Sequence, residues 1–336
     1  MAAIERSNCF HKQGHEAGCH VSNNMFMVIF AVIQIILSQV PNFHKLSPIS
    51  VVAAIMSFSY SLIGIGLSIA KIAEHGIAKT SLTGIPVGPN LSGMEKMWRT
   101  FSALGDVAFA YSFCFVLIEI QASHDTLKSS PPENKQMKVA TAAGIMASTV
   151  FYMLCGVLGY AAFGNDAPGN FLTGFGFYDP YWLVDIGNIC IVIHLLGAYQ
   201  VLAQPLFGFM ETSSKNKWPQ NKLVTREYSL CGFELNTFRF ASRASYVIVT
   251  TIIAMLFPFF NDFVGLLGAG TFWPLSVYFP IEMYISQAKI RKYSFTWIWM
   301  QILSLACLIV SLVAAVGSTR GLITSVESFK PFQSVS

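Results

Sequence analysis

Four carboxylates and one histidine fall in stretches of this chain that are otherwise apolar enough to lie in a bilayer: Asp106, Glu119, Asp185, Glu282 and His194. A charge at the centre of a lipid-spanning helix costs about 2.5–3.5 kcal/mol on insertion scales. Such groups are therefore expected to face a protein interior or a path for polar solutes. Asp106 follows Gly105 near one end of 100–121, and Glu119 stands near the other. The segment has the length of one span, roughly 20 residues. A span interrupted by glycine and an acid exposes backbone groups to a solute. Gly105-Asp106 is read as that interruption, and the segment as one that moves a polar solute through a membrane. The competing reading is a continuous helix that begins at Gly105-Asp106, with Asp106 favoured by the helix dipole in its first turn. Glu119 and Glu282 lie close enough to span ends to snorkel or to form ion pairs.

The elements that must carry these residues follow from composition. The chain is 54% hydrophobic and 11% charged, against about 25% charged in a soluble domain. It is an all-α, polytopic membrane protein with eight spans: 25–40, 48–73, 100–121, 139–163, 181–210, 245–260, 263–285 and 296–318. Residues 1–24 and 319–336 are tails. The fifth span carries Pro205 and is expected to tilt, kink or extend beyond the membrane. Only Asn261-Asp262 separates the sixth from the seventh, which form a tight hairpin or one broken segment. The first apolar run, 25–40, must itself target the chain, because no apolar h-region precedes it.

No P-loop, HExxH, GxSxG or GxGxxG pattern is present, so the chain is not read as an enzyme. The net charge of +4 needs no nucleic acid, and in a membrane protein reflects cytoplasmic Lys and Arg. The seven cysteines form no CxxC pair, which leaves a structural zinc site without support. Cys114, Cys155, Cys190 and Cys307 read as small hydrophobes within spans. Gly265, Gly268 and Gly270 suit close helix packing. Tyr178 and Tyr181 suit the interfacial belt.

An eight-span path places 13 of the 21 lysines and arginines on one side, while merging the sixth and seventh spans reduces the bias to 12 against 9. The bias puts both termini outside. Asn90-Leu91-Ser92 is then an outside glycosylation sequon at Asn90. Cys9 and Cys19 fall in the outside tail, where a disulfide is permitted. Free thiols, or zinc bound with His11, His15 and His20, are the alternatives. Arg6 and Lys12 before the first span oppose this orientation locally.

Long stretches of the chain are similar to plant amino acid permeases of the amino acid/auxin permease family. They include Ala3 to Lys12, Ile35 to Phe43, Gly105 to Gln121, Ser130 to Lys135, Gly159 to Gly164, His194 to Gln200 and Pro258 to Asp262. The resemblance implies a proton-coupled amino acid symporter of the plasma membrane, multi-pass and working by alternating access. It also implies a leucine-transporter-type fold of two inverted repeats, no cofactor beyond the coupling proton, and as partners the amino acid and the lipid bilayer. The eight spans correspond to family spans four to eleven. Met1 then falls where the family's third span ends, which makes the inverted-repeat fold incomplete. The corresponding second reading is an N-terminally truncated, non-transporting membrane fragment that associates with full-length permease. Ala122-Ser123-His124 also intervenes where the family runs Glu-Ile-Gln directly into Asp-Thr. Three residues rotate a continuing helix by about 300°.

A zwitterion needs a cation-like group for its carboxylate and acceptors for its ammonium. Broken helices supply both without buried side-chain charge. Gly105, Asp106, Ala108, Phe109 and Ser112 are the candidate substrate-binding residues, with Phe109 as a pocket wall and Ser112 as a hydrogen-bonding group. On 181–210, Asp185 and Asn188 share a face, and Gln200 and Gln204 follow. Asp185 and His194 are the candidates for proton coupling. For Asp185 the alternative is an interfacial carboxylate. For His194 it is a neutral histidine bonded to a neighbouring helix.

Overall fold

The computed structural model describes residues 1–14, 18–19, 21–40, 47–81, 83–88, 91–113, 116–117, 133–176, 180–230 and 233–328. Among these, α-helices dominate: α1 Ala2–Gln13, α2 Asn23–Leu37, α3 Ser47–His75, α4 Gly93–Ala110, α5 Glu133–Phe163, α6 Tyr181–Lys217, α7 Lys222–Thr225 and α8 Thr237–Leu256. Then follow α9 Phe260–Thr271, a π-helical segment Phe272–Tyr278, α10 Phe279–Gln287 and α11 Phe295–Ser328. Among the described residues six helices, against the eight spans expected, are long and apolar enough to cross a membrane: Pro48–His75, Lys135–Phe163, Tyr181–Lys217, Thr237–Leu256, Phe260–Gln287 and Phe295–Glu327; the described part of 100–121 is not among them. Asn23–Leu37 is a shorter apolar helix. The protein is thus a polytopic all-α membrane protein. One exception lies between α7 and α8, where β1 Glu227–Leu230 pairs antiparallel with β2 Phe233–Asn236.

The helices sort into two compact units, one within 1–81 and 133–256, the other within 83–117 and 257–328. In the first, α6 lies antiparallel to α3: the faces of Gly187 and Gly197 meet Ile63 and Ala53. Helix α2 runs parallel to α6, since Gln34 bonds Gln200 and the Val40 carbonyl accepts from Gln204. Helix α8 runs antiparallel to α2, with Arg243 at Ser38 and Val40. In the second unit, α9 runs parallel to α4, with Gly265 beside Ser102 and Gly268 beside Phe109. Helix α11 is antiparallel to α9, placing Ser318 at Gly265 and Ser304 at Trp273. Within each unit these directions match the alternation of an eight-span path.

Several expectations change in detail. Gly105-Asp106 does not interrupt its helix, because α4 continues to Ala110. Residues 1–24 are not a plain tail: α1 packs on α6, with Ser7 buried and the His11 ring 4.9 Å from that of Tyr181. Helix α11 continues to Ser328, well past 318. The sixth and seventh spans are separate helices, with 257–259 between them. Asn90, Cys114, Glu119, Ala122-Ser123-His124, His15, His20 and Tyr178 lie outside the described residues.

Candidate membrane binding site

Helix α4 begins at a side-chain cap, where Ser92 Oγ accepts the Glu95 N–H at 3.1 Å. It stops at Ala110. Beyond Ala110 the i→i+4 ladder gives way to shorter-range bonds, Tyr111 N–H to Ala108 O at 3.3 Å and Ser112 N–H to Phe109 O at 2.9 Å. The chain turns helical again at 116–117, where Phe113 O accepts from Leu117 N–H at 3.0 Å. The break therefore falls at Tyr111–Phe113, about two turns after Gly105. It frees backbone groups where lipid offers them no partner, which is tolerated only where they are enclosed by protein or line a cavity. Of the substrate-binding candidates, Ser112 sits in the break, is buried, and returns its hydroxyl to the Ala108 carbonyl at 3.0 Å. Ala108 and Phe109 form the last turn before it.

Gly105 has a different task. A Cβ at Gly105 would overlap the Gly265 carbonyl, and one at Gly268 would overlap the Gly105 carbonyl and lie 2.6 Å from the Phe109 nitrogen. Helices α4 and α9 thus touch backbone to backbone, which small residues permit. Gly317 on α11 meets Phe101 in the same manner, while Gly270 faces open space. Asp106 points into this contact. Its Oδ1 is buried and has no hydrogen-bond partner among the described residues.

A second departure from α geometry lies on the neighbouring helix. Continuing the parallel register of 102, 105 and 109 beside 265 and 268 brings Phe272 level with the break in α4. There the chain is π-helical through Tyr278. Pro274 supplies no N–H to the ladder, and Trp273 Nε1 donates to Ser304 Oγ at 3.1 Å. π-segments inside α-helices concentrate at functional sites.

The proton-coupling candidates both lie on α6, in the first unit. His194 Nδ1 lies 3.0 Å from the Ala53 carbonyl, which can only accept, so Nδ1 carries the hydrogen. The ring also meets Tyr60 edge-on. Asp185 Oδ1 is buried without a partner among the described residues, as is Arg6 Nε on the packed helix α1. Asn188 is buried and bonds the Val184 carbonyl. Gln200 is fully buried and donates to Gln34 Oε1 at 2.5 Å, while Gln34 donates to the Leu196 carbonyl.

This polar line ends in an ion network whose arginines entered the sequence reading only through the count of Lys and Arg on one side. Arg243 is 2% exposed. Its Nε and Nη2 donate to Glu211 Oε1 at 2.9 and 2.6 Å, and its Nη1 donates to the Ser38 and Val40 carbonyls. It thereby closes the orphan carbonyls at the end of α2. Arg239 reaches Glu211 at 3.3 Å and Glu227 at 3.6 Å. The available signal was the i,i+4 spacing of Arg239 and Arg243 beside an apolar run, together with Glu211 on the face of Gln200 and Gln204.

Other expected residues find simple places. Cys9 and Cys19 form a disulfide. Glu282 accepts from Gln301 at 2.8 Å. Cys155, Cys190 and Cys307 are free thiols. Among the described residues no group of His, Cys, Asp and Glu is arranged to hold a metal ion.

A helix broken after Ala110, packed against a helix that turns π-helical at Phe272, is a geometry that can free backbone groups for a solute. Comparison with known proteins agrees. The profile of the family described as transmembrane amino acid transporter protein matches residues 1–324, and the chain belongs to this family of transporters, which are not enzymes. It is 62% identical to amino acid permease 6 of Arabidopsis thaliana over 99% of this chain and 70% of that protein. It is 56% identical to amino acid permease 8 of the same plant, over 100% of this chain and 71% of that one. A more distant relative, lysine histidine transporter-like 6, is 31% identical over 92% of this chain and 65% of that protein. No solved structure matches.

Proposed function

We propose that the protein is a proton-coupled amino acid symporter of the plasma membrane, multi-pass with both termini outside, working by alternating access. The observation that carries the reading is the break at Tyr111–Phe113 in a member of an amino acid transporter family. The end of α4 offers carbonyls to an ammonium group. Phe109 walls the side-chain pocket and Ser112 turns its hydroxyl from the Ala108 carbonyl to the solute. Gly105 and Asp106 act one turn earlier, on the helix packed against α4. Asp185 is the better placed of the two proton-coupling candidates on α6, because the Nδ1 of His194 is already committed to Ala53. Purified protein in liposomes should accumulate labelled amino acid when an inward proton gradient is imposed, and Ser112→Ala should raise KM with less effect on the maximal rate. Uptake equal to that of empty liposomes, with insertion verified, would overturn the reading.

A further inference from the structure

Three oxygens converge on the bare face of Gly265. A Cβ built there would lie 2.7 Å from Ser318 Oγ, 3.1 Å from Asp106 Oδ1 and 3.4 Å from the Ser102 carbonyl oxygen. Ser318 is 0% exposed. Its Oγ and Asp106 Oδ1 are both buried with no hydrogen-bond partner among the described residues. Two unpaired polar atoms from α4 and α11, aimed at the same side-chain-free point of α9, form a niche whose hydrogen-bonding capacity is unused. Buried polar atoms without partners are uncommon, and each asks for an explanation.

We propose that this niche is a proton-binding site in which Asp106 is the carrier, a role distinct from that of Asp185 and His194. An ionised Asp106 only accepts hydrogen bonds. A proton arriving at Oδ1 from the aqueous phase forms an O–H bond, and that O–H donates to Ser318 Oγ. The Ser318 hydroxyl hydrogen is then free to donate to the Ser102 carbonyl. As it stands the niche holds one hydroxyl hydrogen, that of Ser318, for three oxygens, and the added proton supplies a second donor. Three oxygens are too few for the shell of a calcium or magnesium ion, whereas they suit a single proton.

Charged groups stand on each helix around the niche. Helix α9 contributes Asp262, one turn before Gly265, held by Ser325 Oγ at 2.7 Å. Asp262 is the second carboxylate on this face. Helix α11 contributes Arg320 and Glu327, both exposed. On α4 itself the charged residues are Glu95, Lys96 and Arg99, with Glu95 and Arg99 paired at 3.0 Å. The π segment contributes none. Because α4 carries both Asp106 and the break at Tyr111–Phe113, a proton bound here acts on the same helix that would hold the solute.

The proposal rests on the proton-symport reading for its purpose, so the test separates the two. Infrared titration of the full chain in lipid nanodiscs reads the C=O band of protonated carboxyl groups without requiring transport. The expected result is a band that responds to pH, is lost in Asp106→Asn, and moves in frequency in Ser318→Ala as its hydrogen-bond partner is removed. In proteoliposomes, Asp106→Asn should abolish gradient-driven accumulation while exchange of solute for solute persists. A band unchanged in Asp106→Asn overturns the site, whatever the transport result. If Asp106→Asn does not insert, an unmoved band in Ser318→Ala overturns it equally. Loss of the band without any proton-driven uptake by the unaltered chain supports the site and removes the symport reading.

Discussion

Glu211→Gln isolates the cost of the buried ion network. The substitution keeps the side-chain shape and removes one charge. Arg243 stays 2% exposed and loses a carboxylate that accepts two of its N–H groups at 2.9 and 2.6 Å. Breaking a buried pair by removing one partner costs about 3–5 kcal/mol, because the remaining charge is left uncompensated. Two bonds to the Ser38 and Val40 carbonyls survive, which places the expectation near the lower end, about 3 kcal/mol. Arg239 also loses its 3.3 Å contact but keeps Glu227. The assay is denaturant unfolding in mixed micelles, run on Glu211→Gln, Arg243→Met and the pair combined. The double variant should be less destabilised than the sum of the singles, by a coupling of at least about 1 kcal/mol. Purely additive effects would refute the network, as would a Glu211→Gln cost below about 1 kcal/mol, the range of an exposed pair.

Four further predictions use the same structure. Gly268→Ala should separate α4 from α9 and lower the thermal midpoint in a membrane thermal-shift assay, whereas Gly270→Ala, facing open space, should not. Reducing the Cys9–Cys19 disulfide, which closes a loop of 10 residues, should cost about 2–3 kcal/mol and expose α1 to limited proteolysis. Ser92→Ala removes the cap of α4 and should cost about 1 kcal/mol, measured by the same unfolding titration. His194→Ala should remove the second donor to the Ala53 carbonyl, a loss of about 0.5–1.5 kcal/mol in the same unfolding titration.

Hydropathy made the spanning helices legible, because a bilayer demands long runs of apolar residues with every backbone group satisfied inside the helix. It located the polar residues of α6 for the same reason. It misplaced the break in α4. Gly105 looked like a weak point because glycine has a low helix propensity, yet here it serves close approach to Gly265. The true break, Tyr111-Ser112-Phe113, contains no glycine or proline and is dictated by neighbours that no local pattern reveals. Arg243 was not singled out at all. It was counted as one of the positive charges that set the topology, while its environment supplies Glu211 and two carbonyls from the end of a helix some 200 residues earlier. The niche at Gly265 draws on α4, α9 and α11, so it was invisible before the helices were paired.

The contact between α4 and α9 has a consequence for how the membrane protein is put together. Most helix interfaces immobilise side chains, and burying each flexible one costs up to about 2 kcal/mol of rotamer entropy. Gly105, Gly265 and Gly268 have no rotamers to lose, so this interface is assembled without that penalty. Pulling it apart would bring bare peptide groups toward hydrocarbon, which cannot solvate them. The joint is therefore cheap to make and costly to open. That asymmetry favours α4 and α9 travelling as one piece through any conformational cycle, with flexing confined to the break and the π segment that follow it.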